Sequence, residues 1–378
     1  MKVAILTAMS TQRGGGELML TELLRHSPDA DLQWTVIFLE DGPLVSDYRQ
    51  LGIDTQVLNA GRLRHLYRFG RTVYQVADLV RERQIDLLLS WSAKPHLYGS
   101  LAGLITGVPT AWYQLGHPVG RHRSLLDRIA TLFPAAGIIT LSQTAQDAQR
   151  QMWPHRPTHL VYPSVQLDRF DPECLPSPEA ARRQLGLPTE GPVIGMVGRL
   201  QRWKGMHVLI EAIPSIQASR PDAHFVIVGG AHDSEPTYGR ELRERIQALG
   251  VSANITLAGF QQNVPLWMQA MDLFVHASDH EPFGIVIIEA MALGKPVVAG
   301  DAAGPREIID DGQTGLLAPF EDVGRLSTAI CRYLDSPSFA KQTAQAAQQR
   351  AQAFSPERYA RNLTRTLHKL TASRACPA

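Results

Sequence analysis

Two glutamates, Glu281 and Glu289, stand in the stretch Ser278-Asp279-His280-Glu281-Pro282-Phe283-Gly284-Ile285-Val286-Ile287-Ile288-Glu289-Ala290. A pair of carboxylates in one segment could act as acid and nucleophile on a glycosidic bond. Taken alone, Glu289 could equally be a helix-start residue satisfied by local N–H groups. Two cations, Arg199 and Lys204, follow an apolar run at 193–197. Without context they could be no more than solvated charges. Near the N-terminus Gly14-Gly15-Gly16 lies between an apolar run and a leucine-rich segment. Glycines there permit unusual dihedrals and close approach of a ligand to backbone N–H groups, an arrangement suited to phosphate. The spacing is neither GxGxxG nor the lysine-bearing loop of an ATPase, so by itself it also fits a tight turn.

The elements around these residues must position them. Residues 272–276 read as a buried strand, 285–293 as a helix and 296–299 as a second strand. The loop between them would place Glu281 and the backbone of Phe283 and Gly284 at a strand's C-terminal edge, where open parallel sheets bind ligands. The helix start adds free N–H groups and the positive end of a dipole. Upstream, strands are expected at 2–7, 34–39, around Val57, and at 85–90, 109–112, 137–141 and 159–162. Helices are expected at 17–25, 73–83, 95–106, from Arg121 to about Leu132, and after Ser142, whose hydroxyl suits an N-cap. Residues 163–192 hold six prolines and one short helix (178–185), the pattern of a connector. A second alternation follows, with strands at 193–197, 224–228, 255–257 and 314–318. Its helices are at 205–219, 238–249, 264–270, 321–334 and 339–353. Ser355-Pro356-Glu357 opens a last helix reaching about Leu370.

With 378 residues the chain exceeds one ordinary core, so two domains are expected. Apolar residues at 44 % and charged residues at 19 % place it among globular proteins. A net charge of +1 supplies no field to recruit nucleic acid. Cys174, Cys331 and Cys376 are too far apart in sequence for a metal spacing or a disulfide framework, which fits a reducing compartment. No run of eighteen uncharged apolar residues suggests a transmembrane span, and the short apolar start reads as a strand, not a leader. Asp29-Ala30-Asp31 spells an Asp-x-Asp triplet but lies between a helix and a strand, so it reads as a turn and no metal is assigned. Residues 61–71 carry Arg62, Arg64, Arg68 and Arg71 with Leu63, Leu66, Tyr67 and Phe69 between them and no acid. Such a surface is either a solvated loop and helix start or a contact for anionic acceptors or lipid headgroups.

Four segments together resemble the retaining glycosyltransferases of family 4 (glycosyl transferases group 1), which have the GT-B fold. They are Val197-Gly198-Arg199-Leu200 with Lys204-Gly205; Phe225-Val226-Ile227-Val228-Gly229-Gly230; the Glu281–Glu289 stretch with Gly294-Lys295-Pro296-Val297-Val298; and Asp311-Gly312-Gln313-Thr314-Gly315-Leu316-Leu317. The resemblance implies an α/β chain of two Rossmann-like domains facing across a cleft. Residues 1–168 would bind the acceptor, 169–190 connect, 191–353 bind the nucleotide-sugar donor, and 354–378 pack back on the first domain. It puts Arg199 and Lys204 on the donor diphosphate, Glu289 on the ribose hydroxyls and Glu281 on the donor sugar. Backbone N–H groups of Phe283, Gly284 and Ile285, and of Gly15 and Gly16, would meet sugar or phosphates. His117 would contact the transferred sugar, although the acid that usually follows it is replaced by Pro118. A second Gly-Gly, usual in the family before a glutamate near Glu307, is here Gly304-Pro305-Arg306-Glu307, which leaves the parts of Asp301, Gly304, Arg306 and Glu307 open. Pro163-Ser164 replaces the family's Asn-Gly turn before the connector.

The function so implied is transfer of a glycosyl group, with retention, from a UDP- or GDP-linked sugar to a hydroxyl. His117, Arg199, Lys204 and Glu281 would be catalytic, with no cofactor and no divalent metal. The acceptor would be a cell-envelope glycan, exopolysaccharide, lipopolysaccharide or glycolipid intermediate, or a small molecule. Domain closure would exclude water. The expected setting is cytoplasmic, with the four arginines touching the cytoplasmic face of an anionic membrane, and the expected state a monomer or weak homodimer. Starch-, glycogen- or sucrose-synthase types share the motifs, usually on longer chains. A non-catalytic nucleotide-sugar-binding protein is the other alternative, disfavoured by the joint presence of Arg199, Lys204, Glu281 and Glu289.

Overall fold

The computed structural model describes residues 1–11, 14–27, 32–116 and 124–372. The chain divides into two compact units, Met1–Ser164 with Pro356–Ala378, and Val165–Ser355.

The first unit is built on seven strands: β1 (Lys2–Thr7), β2 (Gln33–Phe38), β3 (Asp54–Val57), β4 (Leu87–Trp91), β5 (Thr110–Gln114), β6 (Gly137–Thr140) and β7 (Thr158–Leu160). They pair in parallel in the order β3-β2-β1-β4-β5-β6-β7. Strands such as Val3-Ala4-Ile5-Leu6 and Leu87-Leu88-Leu89 are apolar on both faces because helices cover both. The order reverses between β1 and β4, so the C-terminal ends of these two strands open a crevice. After β1 the chain enters the helix Gly15–His26, and Gly14 before it offers no side-chain cap. The Trp91 indole N–H at the end of β4 donates to the Gly16 carbonyl at 3.0 Å, tying the glycine helix to the neighbouring strand end. The last helix, Pro356–Ala372, belongs to this unit and packs on Gly15–His26. Its buried side, Tyr359, Ala360, Leu363, Leu367 and Leu370, recurs at helical spacing. Each of those leucines contributes about 1.5–3 kcal/mol by leaving water. Tyr359 Oη donates to Tyr113 Oη on β5 at 3.2 Å.

The second unit holds β8 (Val193–Val197), β9 (His224–Val228), β10 (Ile255–Gly259), β11 (Leu273–His276), β12 (Val297–Gly300) and β13 (Leu316–Ala318), parallel in the order β10-β9-β8-β11-β12-β13. Again the order reverses, between β8 and β11, which pair through Leu273 with Ile194 and Phe274 with Gly195. Met196, Ile210, Ile213, Phe225 and Val275 lie in its core.

The elements differ from expectation in three places near the residues of interest. Residues 43–50, left without an element, form the helix Pro43–Gln50, started by proline at its first position after Gly42. The helix expected from residue 73 begins at Leu66, so Arg68 and Arg71 are helical. Residues 305–308 form a short helix, Pro305–Ile308, after the left-handed Ala303 (φ 40°).

Candidate active site

The switch point of the second unit collects the residues that carry chemistry. Arg199 follows β8, Lys204 ends the 3₁₀ turn Arg202–Lys204, and Glu281 follows β11. Since β8 and β11 are neighbours, residues about 80 positions apart in sequence meet at adjacent strand ends.

Glycines let the backbones approach. Gly205 has φ 77° and its Cα faces the Ala277 carbonyl so closely that any Cβ would overlap it. Gly304 lies against the Phe283 backbone in the same way, and its N–H donates to the Glu281 carbonyl at 3.1 Å. The Asp279 N–H donates to the Trp203 carbonyl at 2.9 Å, joining the two loops. The loop is anchored from below by Phe283, 2 % exposed, whose ring meets Phe354 edge-on at 5.6 Å.

Within this frame Lys204 Nζ forms an ion pair with Glu281 Oε2. Both side chains are nearly buried, at 12 % and 13 % exposure. The same oxygen lies 3.1 Å from His276 Nε2, which is also 3.1 Å from Ser278 Oγ. Burial alone would push the Glu281 carboxyl up, but the Lys204 charge and the hydrogen bonds from His276 and Lys204 outweigh it and hold it at about 2. Glu281 is therefore a fixed anion. His276, on β11, is kept below the usual histidine range, first by burial and further by Lys204, against the opposing pull of Glu281. Its imidazole is neutral, and a carboxylate can only accept, so Nε2 carries the hydrogen. Lys204 Nζ also stands 4.1 Å from the Trp203 ring centroid, and that ring lies 4.9 Å from His280.

Arg199 differs from Lys204. It is exposed, its Nη1 lies 3.3 Å from His232 Nε2, and among the described residues no carboxylate pairs with it. Glu289 sits at the fifth position of the helix Ile285–Ala292, not at its start, so the free N–H groups of the first turn do not satisfy it. Its carboxylate makes no hydrogen bond or ion pair among the described residues. It keeps some exposure, yet surrounding protein pushes its carboxyl up to about 7, only partly opposed by Arg169. The helix Ile285–Ala292 has no side-chain cap, and Gly284 before it has φ 110°, a conformation suited to glycine.

The structure thus brings together Arg199, Lys204, Glu281, Phe283, Gly284, Ile285 and Glu289 in one unit. Gly15 and Gly16 belong to the other unit, at its own strand-order reversal. His117 lies outside the described residues, as do Asp29, Ala30 and Asp31. Among the described residues no group of three or more His, Cys, Asp or Glu is placed to hold a metal. Nothing in the sequence pattern singles out Ser278, Trp203 or His232, or marks His276 as part of the site. The only signal for His276 was a polar residue ending an apolar strand.

Residues 177–350 match the family model described as Glycosyl transferases group 1, and residues 13–169 the model described as Glycosyltransferase Family 4. Over 283 residues the chain is 32 % identical to a GDP-mannose-dependent monoacylated alpha-(1-6)-phosphatidylinositol monomannoside mannosyltransferase of Corynebacterium glutamicum, with 70 % of this chain and 71 % of that relative covered. The chain belongs to the family 4 (group 1) GT-B glycosyltransferases. Another family member, the lipopolysaccharide core biosynthesis mannosyltransferase LpsB of Rhizobium meliloti, is 29 % identical over 57 % of this chain. The chain spans 61 % and 51 % of the length of the first two curated relatives it matches. The GT-B fold also superposes on the crystal structure of Anabaena Alr3699/HepE in complex with UDP-glucose, with TM-score 0.85 and 27 % identity, covering 97 % of this chain and 99 % of that one.

Proposed function

We propose that this family 4 protein is a retaining glycosyltransferase that moves a sugar from a UDP- or GDP-linked donor to a hydroxyl of a cell-envelope glycan or glycolipid intermediate. The observation that carries the proposal is the β8/β11 switch point. Arg199, with no carboxylate partner among the described residues, and the Lys204–Glu281 ion pair stand at that sheet edge, and the helix that follows carries Glu289, whose carboxylate has no partner among the described residues. Arg199 would grip the diphosphate with its planar fork, and its charge counts most as the leaving phosphate gains charge. Lys204, already neutralising Glu281, would share its remaining N–H bonds with the phosphate. Glu289 would accept from the ribose hydroxyls and Glu281 from those of the sugar. The uncapped helix Ile285–Ala292 would offer its first N–H groups. No described side chain is placed as a covalent nucleophile, so the leaving phosphate oxygen would assist deprotonation of the acceptor on the same face. Cations on the diphosphate make a divalent metal unnecessary in this scheme. The UDP-glucose-bound HepE structure and the envelope-related names of the relatives support donor class and setting. In the first unit, the β1/β4 crevice beside the Gly15–His26 helix would take the acceptor.

Among the described residues no helix is long and apolar enough to cross a membrane. Arg62, Arg64, Arg68 and Arg71 are all exposed and without carboxylate partners among the described residues. Leu66 and Tyr67 between them are 79 % and 84 % exposed. This surface suits an anionic bilayer, with the two side chains entering the headgroup layer.

The test is calorimetric binding of UDP-, GDP- and ADP-sugars, with and without EDTA, to wild type and Glu289→Ala. The expected result is one preferred donor, bound equally with EDTA and at least ten-fold weaker in the variant. Binding of no nucleotide sugar, or binding abolished by EDTA, would overturn the proposal.

A further inference from the structure

Among the described residues, the hydrogen bonds of the Glu281 side chain fall on one oxygen. Lys204 Nζ and His276 Nε2 both reach Oε2, while Oε1 makes no hydrogen bond among the described residues. A carboxylate has about four lone-pair sites. One held at a single oxygen has a fixed plane and offers the other oxygen as an acceptor for two hydroxyls.

The two clamps differ in kind. Lys204 reaches Glu281 from the 3₁₀ turn after β8 on a long stem. Any diphosphate bound at this edge competes for its ammonium group. His276 is on β11 itself, 1 % exposed, and a donor phosphate cannot draw it away. Ser278 Oγ at 3.1 Å further restricts its ring. The β11 backbone is locked on both sides, by Phe274 and Val275 paired with Val297 and Val298 of β12 and by Leu273 and Phe274 paired with Ile194 and Gly195 of β8. Among the described residues, the imidazole is the partner that can keep the Glu281 plane constant if Lys204 turns toward phosphate.

We propose that His276 is a positioning residue for the donor sugar, holding Glu281 by Oε2 so that Oε1 accepts from adjacent hydroxyls of the transferred pyranose. The inference rests on the donor-site reading above and adds a division of labour to it. Lys204 serves both sugar and phosphate, while His276 serves the sugar alone.

The experiment compares wild type with His276→Leu, His276→Asn and His276→Gln. Calorimetry with UDP, UDP-glucose, GDP and GDP-mannose gives the ratio of nucleotide-sugar to free-nucleotide affinity, and released nucleotide gives donor hydrolysis. Leucine cannot donate and the asparagine amide is too short to reach Glu281, whereas the glutamine amide can stand where Nε2 stood. Expected is a ten-fold or larger fall in that ratio and in hydrolysis for the Leu and Asn variants. Free-nucleotide affinity stays within two-fold, and Gln recovers most of the loss. The Asn and Gln variants carry the test if the Leu variant does not fold. An unchanged ratio in the Leu or Asn variant, or equal losses for nucleotide and nucleotide sugar, would overturn the inference and leave the donor site standing. A wild type that binds none of the four ligands would overturn the donor-site reading and this inference together.

Discussion

At the scale of residues, Glu289 is a carboxyl of the site whose charge changes near neutrality. Its carboxyl is pushed up to about 7 by burial, above its usual 4.5. The folded form therefore holds a proton that the unfolded chain has released. The contribution of Glu289 to stability falls as pH rises from about 4.5 through about 7. An ionised carboxylate accepts hydroxyl hydrogen bonds more strongly than a protonated one. Donor affinity should accordingly rise between pH 6 and 8, and Glu289→Gln should bind more weakly with that rise abolished, as titration calorimetry across the range would show. The Lys204–Glu281 pair has the opposite sign. Glu281 is held at about 2, so its contribution is fully present above about 4.5 and is lost as pH falls toward 2. Lys204→Met leaves a nearly buried carboxylate with His276 alone. It should cost about 3 kcal/mol of stability at pH 7, and the gap to wild type should narrow below pH 4 in urea melts. The sequence showed the types and order of these residues, because Lys204 and Glu281 follow apolar strand runs and Glu289 lies in the helix after the second of them. It did not show that Lys204 and Glu281 spend their charges on each other, or that His276 completes them. That depends on which strands are neighbours, and apolar runs do not encode it.

At the scale of elements, the strands were legible because continuous apolar runs such as Phe225-Val226-Ile227-Val228 have few alternatives in a parallel sheet. The helix Pro43–Gln50 was not, because only Leu44, Val45 and Tyr48 of its eight residues are buried. Backbone geometry was hidden too. The loop carrying Glu281 depends on Gly304, where a Cβ would overlap the Phe283 backbone. Gly304→Ala should cost about 2 kcal/mol and weaken donor binding, because the loop must move to make room. Ala303, just before it, holds φ 40° without being glycine. The opposite substitution, Ala303→Gly, should raise stability by about 1 kcal/mol with donor binding unchanged, measured by denaturant midpoints.

At the scale of the molecule, two units with the same strand-order reversal divide the work that the account assigns. One unit holds Arg199, Lys204, Glu281 and Glu289, which the proposal puts on the donor. The other carries the glycine helix, the β1/β4 crevice and the arginine surface around the start of the helix Leu66–Glu82. If that surface meets lipid, each arginine contributes about 1 kcal/mol at an anionic bilayer. Replacing Arg62, Arg64, Arg68 and Arg71 with serine should reduce sedimentation with phosphatidylglycerol vesicles at least ten-fold and leave binding of the nucleotide sugar unchanged. Unchanged vesicle binding would remove the membrane from the account. The central claim is that the switch point of the second unit activates a nucleotide sugar. Its most direct measurement is proton NMR of the purified chain with UDP-glucose and GDP-mannose, in parallel with Arg199→Ala. The account predicts slow release of nucleoside diphosphate from one donor, with the freed or transferred sugar first appearing as the donor's own anomer, and at least a hundred-fold slower release in the variant. Release of the opposite anomer would contradict the retaining mechanism, and equal rates in wild type and Arg199→Ala would contradict the site.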